Sequence, residues 1–187
     1  MKSMSGSVKL LLALMGCSFI FGIQPARAVD VEIKITGEIY IPPCKIDNDA
    51  GDIHVDFGKI SLYDVDGRQN AQTKTVTVSC EYYQGTPYVK IEGEELRTGD
   101  NILKTKGANE STLGIALYQG NGVNTNYPLK TGAGEQGQYG YKITRGLTGL
   151  NSASGTFTFT AVPVKYGSKA LTAGTFSATT TMSISYL

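Results

Sequence analysis

The 187-residue chain has no tryptophan, one histidine and three cysteines, and outside residues 8–23 it has no long apolar run. With His54 as the single imidazole and no Gly-x-Ser-x-Gly motif, neither a nucleophile–base pair nor a metal site has obvious partners. No stretch beyond residues 8–23 approaches the roughly 20 apolar residues that a membrane-spanning helix needs. These absences argue against an enzyme, a metalloprotein and a membrane-spanning protein.

The N-terminal segment has the features of a cleaved export signal. Lys2 and Lys9 accompany an apolar run at residues 8–23, and the small-x-small triplet Ala26-Arg27-Ala28 follows that run. We therefore expect the exported chain to begin at Val29 or close to it.

Cleavage would also change the charge and the cysteine count. Removing residues 1–28 leaves 14 basic and 16 acidic side chains, so nothing in the remaining chain attracts nucleic acid. Cys44 and Cys80 become the only thiols, and we expect them to form a disulfide in an oxidising compartment. A lipoprotein is the alternative, because Leu14-Met15-Gly16-Cys17 loosely resembles a lipidation box, although the apolar core before it is short.

The exported part alternates short strand-like runs with turn clusters, and no segment shows a capped helical period. Its length fits one domain. This pattern predicts an all-β protein built as a single β-sandwich. The runs that read as strands are residues 53–60, 73–82, 88–92, 113–119, 139–144, 156–164 and 176–186.

The clearest two-residue alternation lies at the two ends of the chain. One face of the first end carries Val29, Val31, Ile33, Ile35, Gly37 and Ile39, and one face of the last carries Phe176, Ala178, Met182, Ile184 and Tyr186. Since the sequence stops at Leu187, directly after an amphipathic strand, we expect an uncovered edge with a strong tendency to aggregate.

Three groups of polar or aromatic residues could be mistaken for chemistry. Asp52, His54 and Asp56 share one face of an alternating run, and we interpret that face as the solvent side of a strand. The sequence Asp47-Asn48-Asp49-Ala50-Gly51 departs from calcium-loop spacing and is interpreted as a turn. The tyrosines are compatible with sugar stacking or with cross-strand packing, and packing is favoured. The tyrosines that the sequence most suggests to be exposed are Tyr82, Tyr83, Tyr139 and Tyr141.

The end motifs, taken as a set, resemble the pilin subunits of the chaperone–usher pathway. The set comprises the signal peptide, the alternating extension before Ile41-Pro42-Pro43-Cys44, the later Val78-Ser79-Cys80, Gly174 and the penultimate Tyr186. Within that family the chain is most similar to the minor tip adaptors of P pili. The internal residues that carry this finer likeness are Tyr40–Cys44, Val55–Gly58, Gly114–Gly120 and Thr156–Thr160.

The resemblance implies an incomplete immunoglobulin-like sandwich that lacks its last strand and is completed by a donor strand from another chain. Residues 1–28 would be the signal peptide, 29–41 the donor extension and 42–187 the pilin domain. The donor residues would be Val29, Val31, Ile33, Ile35, Gly37 and Ile39, and the acceptor strand would carry Gly174, Phe176, Ala178, Met182, Ile184, Tyr186 and Leu187.

The same resemblance implies partners and a location. We expect a periplasmic pilus chaperone, the outer-membrane usher, neighbouring pilin subunits and a tip adhesin, with the protein in a fimbrium on the bacterial surface. No cofactor and no metal are expected. Two alternatives stay open: a secreted glycan-binding module and a complete, lipid-anchored β-sandwich.

Overall fold

The computed structural model describes residues 31–47, 51–97 and 100–187. These residues form β-strands joined by loops, with two 3-10 turns at Leu62–Asp64 and Gly137–Tyr139, which confirms the predicted all-β class. No helix in this part of the chain is long and apolar enough to cross a membrane. The strands are β1 Lys45–Asp47, β2 Gln72–Ser79, β3 Pro87–Gly93, β4 Ile102–Lys104, β5 Lys106–Gly107, β6 Leu113–Gln119, β7 Tyr141–Lys142, β8 Ser154–Lys165, β9 Phe176–Ser177 and β10 Thr180–Tyr186.

The chain divides into an N-terminal unit that ends at Glu38 and a compact body, residues 39–187. In the body, five strands form one sheet in the order β1-β2-β8-β6-β4, and three form a second in the order β10-β3-β7. Strands β5 and β9 pair separately. Every pairing is antiparallel. This is the arrangement of an antiparallel sandwich, with the core between two sheets.

Alternation along the strands determines which side chains enter the core. In β2 the threonines at 73, 75 and 77 are exposed whereas Val76 and Val78 are buried, and Val76 lies opposite Phe157 of β8. The second sheet contributes Val89, Ile91, Ile184 and Tyr186 to the same core cluster. Burying these faces against each other is the main stabilising term of the body.

Three sequence predictions of strands need correction. Of the predicted run 139–144 only β7, Tyr141–Lys142, is a strand, and Tyr139 belongs to a 3-10 turn. Residues 53–60 do not form a strand, although the predicted alternation is present: Ile53, Val55 and Phe57 are half-buried and pack on the core. The predicted terminal strand 176–186 is interrupted at residues 178–179, between β9 and β10. Strands β1, β4 and β5 were not predicted, because runs of two or three residues carry no readable period.

The predicted disulfide is confirmed. Cys44 and Cys80 are joined across 36 residues, and both are buried in the core cluster. Cys44 comes directly before β1 and Cys80 directly after β2. The bridge therefore ties the start of the body to the end of the second strand of the larger sheet.

Replacing both cysteines by alanine should destabilise the body by about 3 to 4 kcal/mol, the chain-entropy contribution expected for closing a loop of this length. Chemical denaturation of the mature chain by urea, followed by circular dichroism, measures the change. An unchanged free energy of unfolding in the double variant would contradict a structural role for the bridge.

Candidate functional site

The outer edge of β10 is the most unusual feature of the body. Leu187 and Thr86 exchange both backbone hydrogen bonds, with N···O distances of 2.9 and 2.6 Å, so odd-numbered residues of this segment direct their backbone groups toward β3. The even-numbered residues, Thr180 to Tyr186, therefore direct theirs away from β3. Within the described residues one backbone bond reaches this outer edge, from Cys44 N–H to Ile184 C=O at 2.7 Å.

An open apolar groove runs beside that edge. The extended segment of residues 53–57 packs Ile53, Val55 and Phe57 on the core but belongs to no strand. The Phe57 ring lies 6.1 Å from the ring of Phe176 in β9, which brings this segment next to the predicted acceptor strand. The apolar side chains of both segments are thus only half-buried, although the core residues on which they pack are buried.

A cleft of about 120 Å³ lies at the Phe176 end of the groove. Three parts of the body form it: the turn at residues 60–65, the start of β6 with the preceding loop, and the approach to β9. Its lining is largely apolar and includes Leu62, Val65, Leu113, Leu171, Gly174 and Phe176. Apolar side chains from three parts of the body therefore meet at this end of the groove.

The predicted acceptor residues fall into three groups in the structure. Ile184 and Tyr186 are buried in the core, and Phe176 and Met182 are half-buried along the groove. Gly174 lines the cleft. Ala178 lies between β9 and β10 and is exposed, so it is not part of the apolar face on which the sequence placed it.

The terminal residue is held by a tight backbone contact. Beside the paired bonds to Thr86, a Cβ atom added to Gly85 would lie only 2.2 Å from the Leu187 carbonyl oxygen, and Gly85 has a positive φ of 104°. A side chain at position 85 would thus displace the end of the chain. This contact and the paired bonds hold Leu187 beside the start of β3.

The predicted donor residues lie in the N-terminal unit and at the start of the body. Val29 is outside the described residues. Residues 31–40 have no assigned strand, and Val31, Ile33, Ile35 and Ile39 are exposed, Ile39 completely. These side chains form an exposed apolar row at alternate positions of the segment.

The structure gives no sign of a metal or sugar site at the described polar and aromatic residues that the sequence analysis considered and rejected. His54, Asp52 and Asp56 are exposed, and no group of three metal-ligating side chains occurs within residues 31–47, 51–97 and 100–187. Residues 48–50 of the suspected calcium loop lie outside the described part. Tyr139 and Tyr141 are half-buried, and the Lys130 ammonium lies 5.4 Å from the Tyr141 ring. This arrangement favours packing over a sugar-stacking surface.

Residues 33–187 match the family model described as "Fimbrial protein". Two Escherichia coli proteins are similar over 162 residues, 86% of this chain and 90% of each relative. They are the minor fimbrial protein PrsF, at 42% identity, and the fimbrial adapter PapF, at 43% identity.

Solved pilin structures share the fold. The P pilus adaptor subunit PapF superimposes with a TM-score of 0.51 at 36% identity, covering 80% of this chain and all of that chain. The P pilus rod subunit PapA gives a TM-score of 0.57 at 22% identity, covering 78% of this chain and all of that chain. The body is thus an incomplete immunoglobulin-like sandwich, as predicted.

Tyr186 supplies a test of how β10 is buried. Burial raises the pKa of its phenol, and a hydrogen bond with the Asn151 backbone acts in the opposite direction. Because the pKa of Tyr186 is higher in the folded than in the unfolded chain, the protonated phenol contributes to the stability of the fold. This contribution is complete below about pH 10 and is lost as the pH rises through the folded pKa. Between pH 9 and 11 the Tyr186→Phe variant should lose less stability than the wild type.

The matched control is Tyr82→Phe, since the Tyr82 side chain is 40% exposed. Urea midpoints at several alkaline pH values give the slope for each variant. Equal slopes for Tyr186→Phe and the wild type would contradict the burial of this phenol.

Proposed function

Because the chain belongs to the fimbrial protein family, we propose that it joins two neighbouring subunits of a pilus, accepting one β-strand and donating another. Family membership makes it a structural subunit of a chaperone–usher pilus on the cell surface. The observation that carries the proposal is the outer edge of β10, which lies beside a half-buried apolar row and has one backbone bond from the described residues.

Strand addition is the chemistry that this edge supports. Backbone groups of an added strand would pair with both the N–H and the C=O of Met182 and with the N–H of Ile184, whose C=O already accepts from Cys44. Its alternate side chains would cover the half-buried apolar row. An unpaired edge next to an apolar groove would otherwise favour aggregation. A complete sandwich, the alternative from sequence, would need a strand at the position where β10 is open.

The proposed donor is residues 29–41 of another subunit. Its aliphatic side chains at alternate positions match the spacing of groove positions along an extended strand. Burying four or five of them at roughly 1.5 to 3 kcal/mol each gives on the order of 10 kcal/mol, an upper estimate that is comparable to the stability of a whole domain. Such a contact would dissociate very slowly.

The donor would run antiparallel to β10. Strands β10, β3 and β7 are all antiparallel to their neighbours, and an antiparallel addition would preserve that uniform sheet. This orientation would place Ile39, near the C-terminal end of the donor, at the cleft beside Phe176. Gly37, two positions earlier, would allow close approach to a part of the groove already filled by the host.

A chain with one donor segment and one acceptor groove would bind two different neighbours. A head-to-tail contact of this type builds open fibres, and a subunit with both parts can connect an adhesin to the fibre, as an adaptor does. During export a periplasmic chaperone would fill the groove first, with basic residues contacting the Leu187 carboxylate. At the outer-membrane usher the extension of the next subunit would replace it.

A peptide in trans tests the groove. The mature chain carrying Ile33→Asp and Ile35→Asp in its own extension cannot supply a donor. Adding a peptide of residues 29–40 with the native sequence, at about a hundredfold excess over its dissociation constant, should raise the melting midpoint by about 5–10 °C.

The control peptide carries the same two aspartates. It should leave the midpoint unchanged, because two charges would be buried in an apolar groove. A midpoint that is high and indifferent to either peptide would mean a complete sandwich and would contradict the proposal.

The boundary of the donor extension has its own test. Intact-mass analysis of the exported protein should give a chain that begins at Val29, with both remaining cysteines oxidised. A product lipidated on Cys17 would support the anchored alternative, and would mean that the donor segment is longer than residues 29–41.

A further inference from the structure

We propose that Asn109 is a positioning residue that holds one wall of the cleft in place and so sets the affinity for the donor side chain that enters it. This inference rests on the strand-addition function proposed above. Asn109 is a buried polar residue in the loop before β6. Its hydrogen-bond partner, Thr172, lies 63 residues later in the sequence.

The Asn109 carboxamide pairs with one residue in the manner of a strand neighbour. Its Nδ2 donates to the Thr172 carbonyl oxygen at 2.8 Å, and its Oδ1 accepts from the Thr172 backbone N–H at 2.9 Å. The Thr172 hydroxyl also donates to Oδ1 at 3.3 Å. The side chain of Asn109 is buried, so it satisfies both backbone groups of Thr172 where no strand is present to do so.

The residue that makes these bonds is itself fixed. The Asn109 carbonyl oxygen accepts from the N–H groups of Thr112 and Leu113 at 2.9 and 2.8 Å, which closes a turn at the start of β6. Thr112 in turn accepts from the Tyr166 N–H at 2.7 Å. The carboxamide therefore projects from a hydrogen-bonded turn at the start of β6 toward the loop that precedes β9.

The wall that Asn109 holds is a loop, residues 166–175, between β8 and β9. Leu171, Thr172, Ala173 and Gly174 of this loop line the cleft together with Asn109. Beyond them, the two-residue pairing of β9 with β5 anchors the far end. Thr172 is thus the point near the middle of the loop where a side chain from the body fixes the wall.

A fixed wall matters because the cleft must keep its shape to contact an incoming side chain. Ordering of the loop before binding removes that part of the entropy cost from association. Without Asn109 the wall would need to order as the donor binds, and the loss would appear at the donor position that contacts the wall. In the antiparallel orientation that position is Ile39.

The test is a double-mutant cycle between Asn109 and Ile39. The full mature chain with Ile33→Asp and Ile35→Asp serves as acceptor, with and without Asn109→Ala. Binding of the residue 29–40 peptide, native or with Ile39→Ala, is measured by fluorescence anisotropy. We expect Asn109→Ala to weaken the native peptide about tenfold and the Ile39→Ala peptide less than about twofold.

Asn101 provides the matched control. It is as buried as Asn109, its Nδ2 donates to the Leu117 carbonyl at 2.6 Å, and it does not line the cleft. The Asn101→Ala variant should lower stability and affect both peptides equally. If Asn109→Ala also affects both equally, or couples to Val29→Ala and not to Ile39→Ala, the inference is overturned.

Asn109→Asp covers the case in which the alanine variant does not fold. It keeps an acceptor for the Thr172 N–H and loses the donor to the Thr172 carbonyl. Its coupling to Ile39→Ala should therefore be smaller than that of Asn109→Ala, but not zero. If Asn109→Asp weakened the native and the Ile39→Ala peptide by the same factor, the inference would be overturned. Failure of the native peptide to bind even the Asn109 acceptor would instead contradict the proposed function.

Discussion

The outer edge of β10 determines how the rest of the molecule behaves. The antiparallel register with β3 directs the backbone groups of Met182 and Ile184 outward, where the described residues supply one bond, from Cys44. A strand with a free edge over a partly covered core is a site for pairing with another chain. The half-buried apolar side chains and the cleft lie along this open position, and the proposed donor residues would fill it.

The body holds that edge in place through long-range contacts. The disulfide joins Cys44, the residue that contacts the outer edge, to the end of β2 in the larger sheet. Thr86 pairs with Leu187 at the end of the second sheet, and Asn109 pairs with the loop that leads into β9. The three ties act at different points: beside Ile184 on the outer edge of β10, at the end of β10 that pairs with β3, and at the loop beside the cleft.

The fold class and the disulfide were predictable from local sequence patterns, whereas some strand limits and the role of Asn109 were not. Two-residue alternation predicted the all-β class, and two remaining cysteines predicted the disulfide. The same alternation at residues 53–57 predicted a strand that does not form, because side-chain periodicity reports burial and not backbone pairing. Asn109 carried no signal, since its partner is far away in sequence, and the donor residues and domain boundaries remain predictions.

Residue-resolved amide hydrogen exchange of the acceptor chain, free and bound to the donor peptide, tests the central claim most directly. The amides of Met182 and Ile184 should exchange fast in the free chain and become protected on binding. Those of Thr181, Ser183 and Ser185, which face β3, should be protected in both states. Equal protection of all five before binding, or no change at the even-numbered positions, would contradict strand addition at this edge.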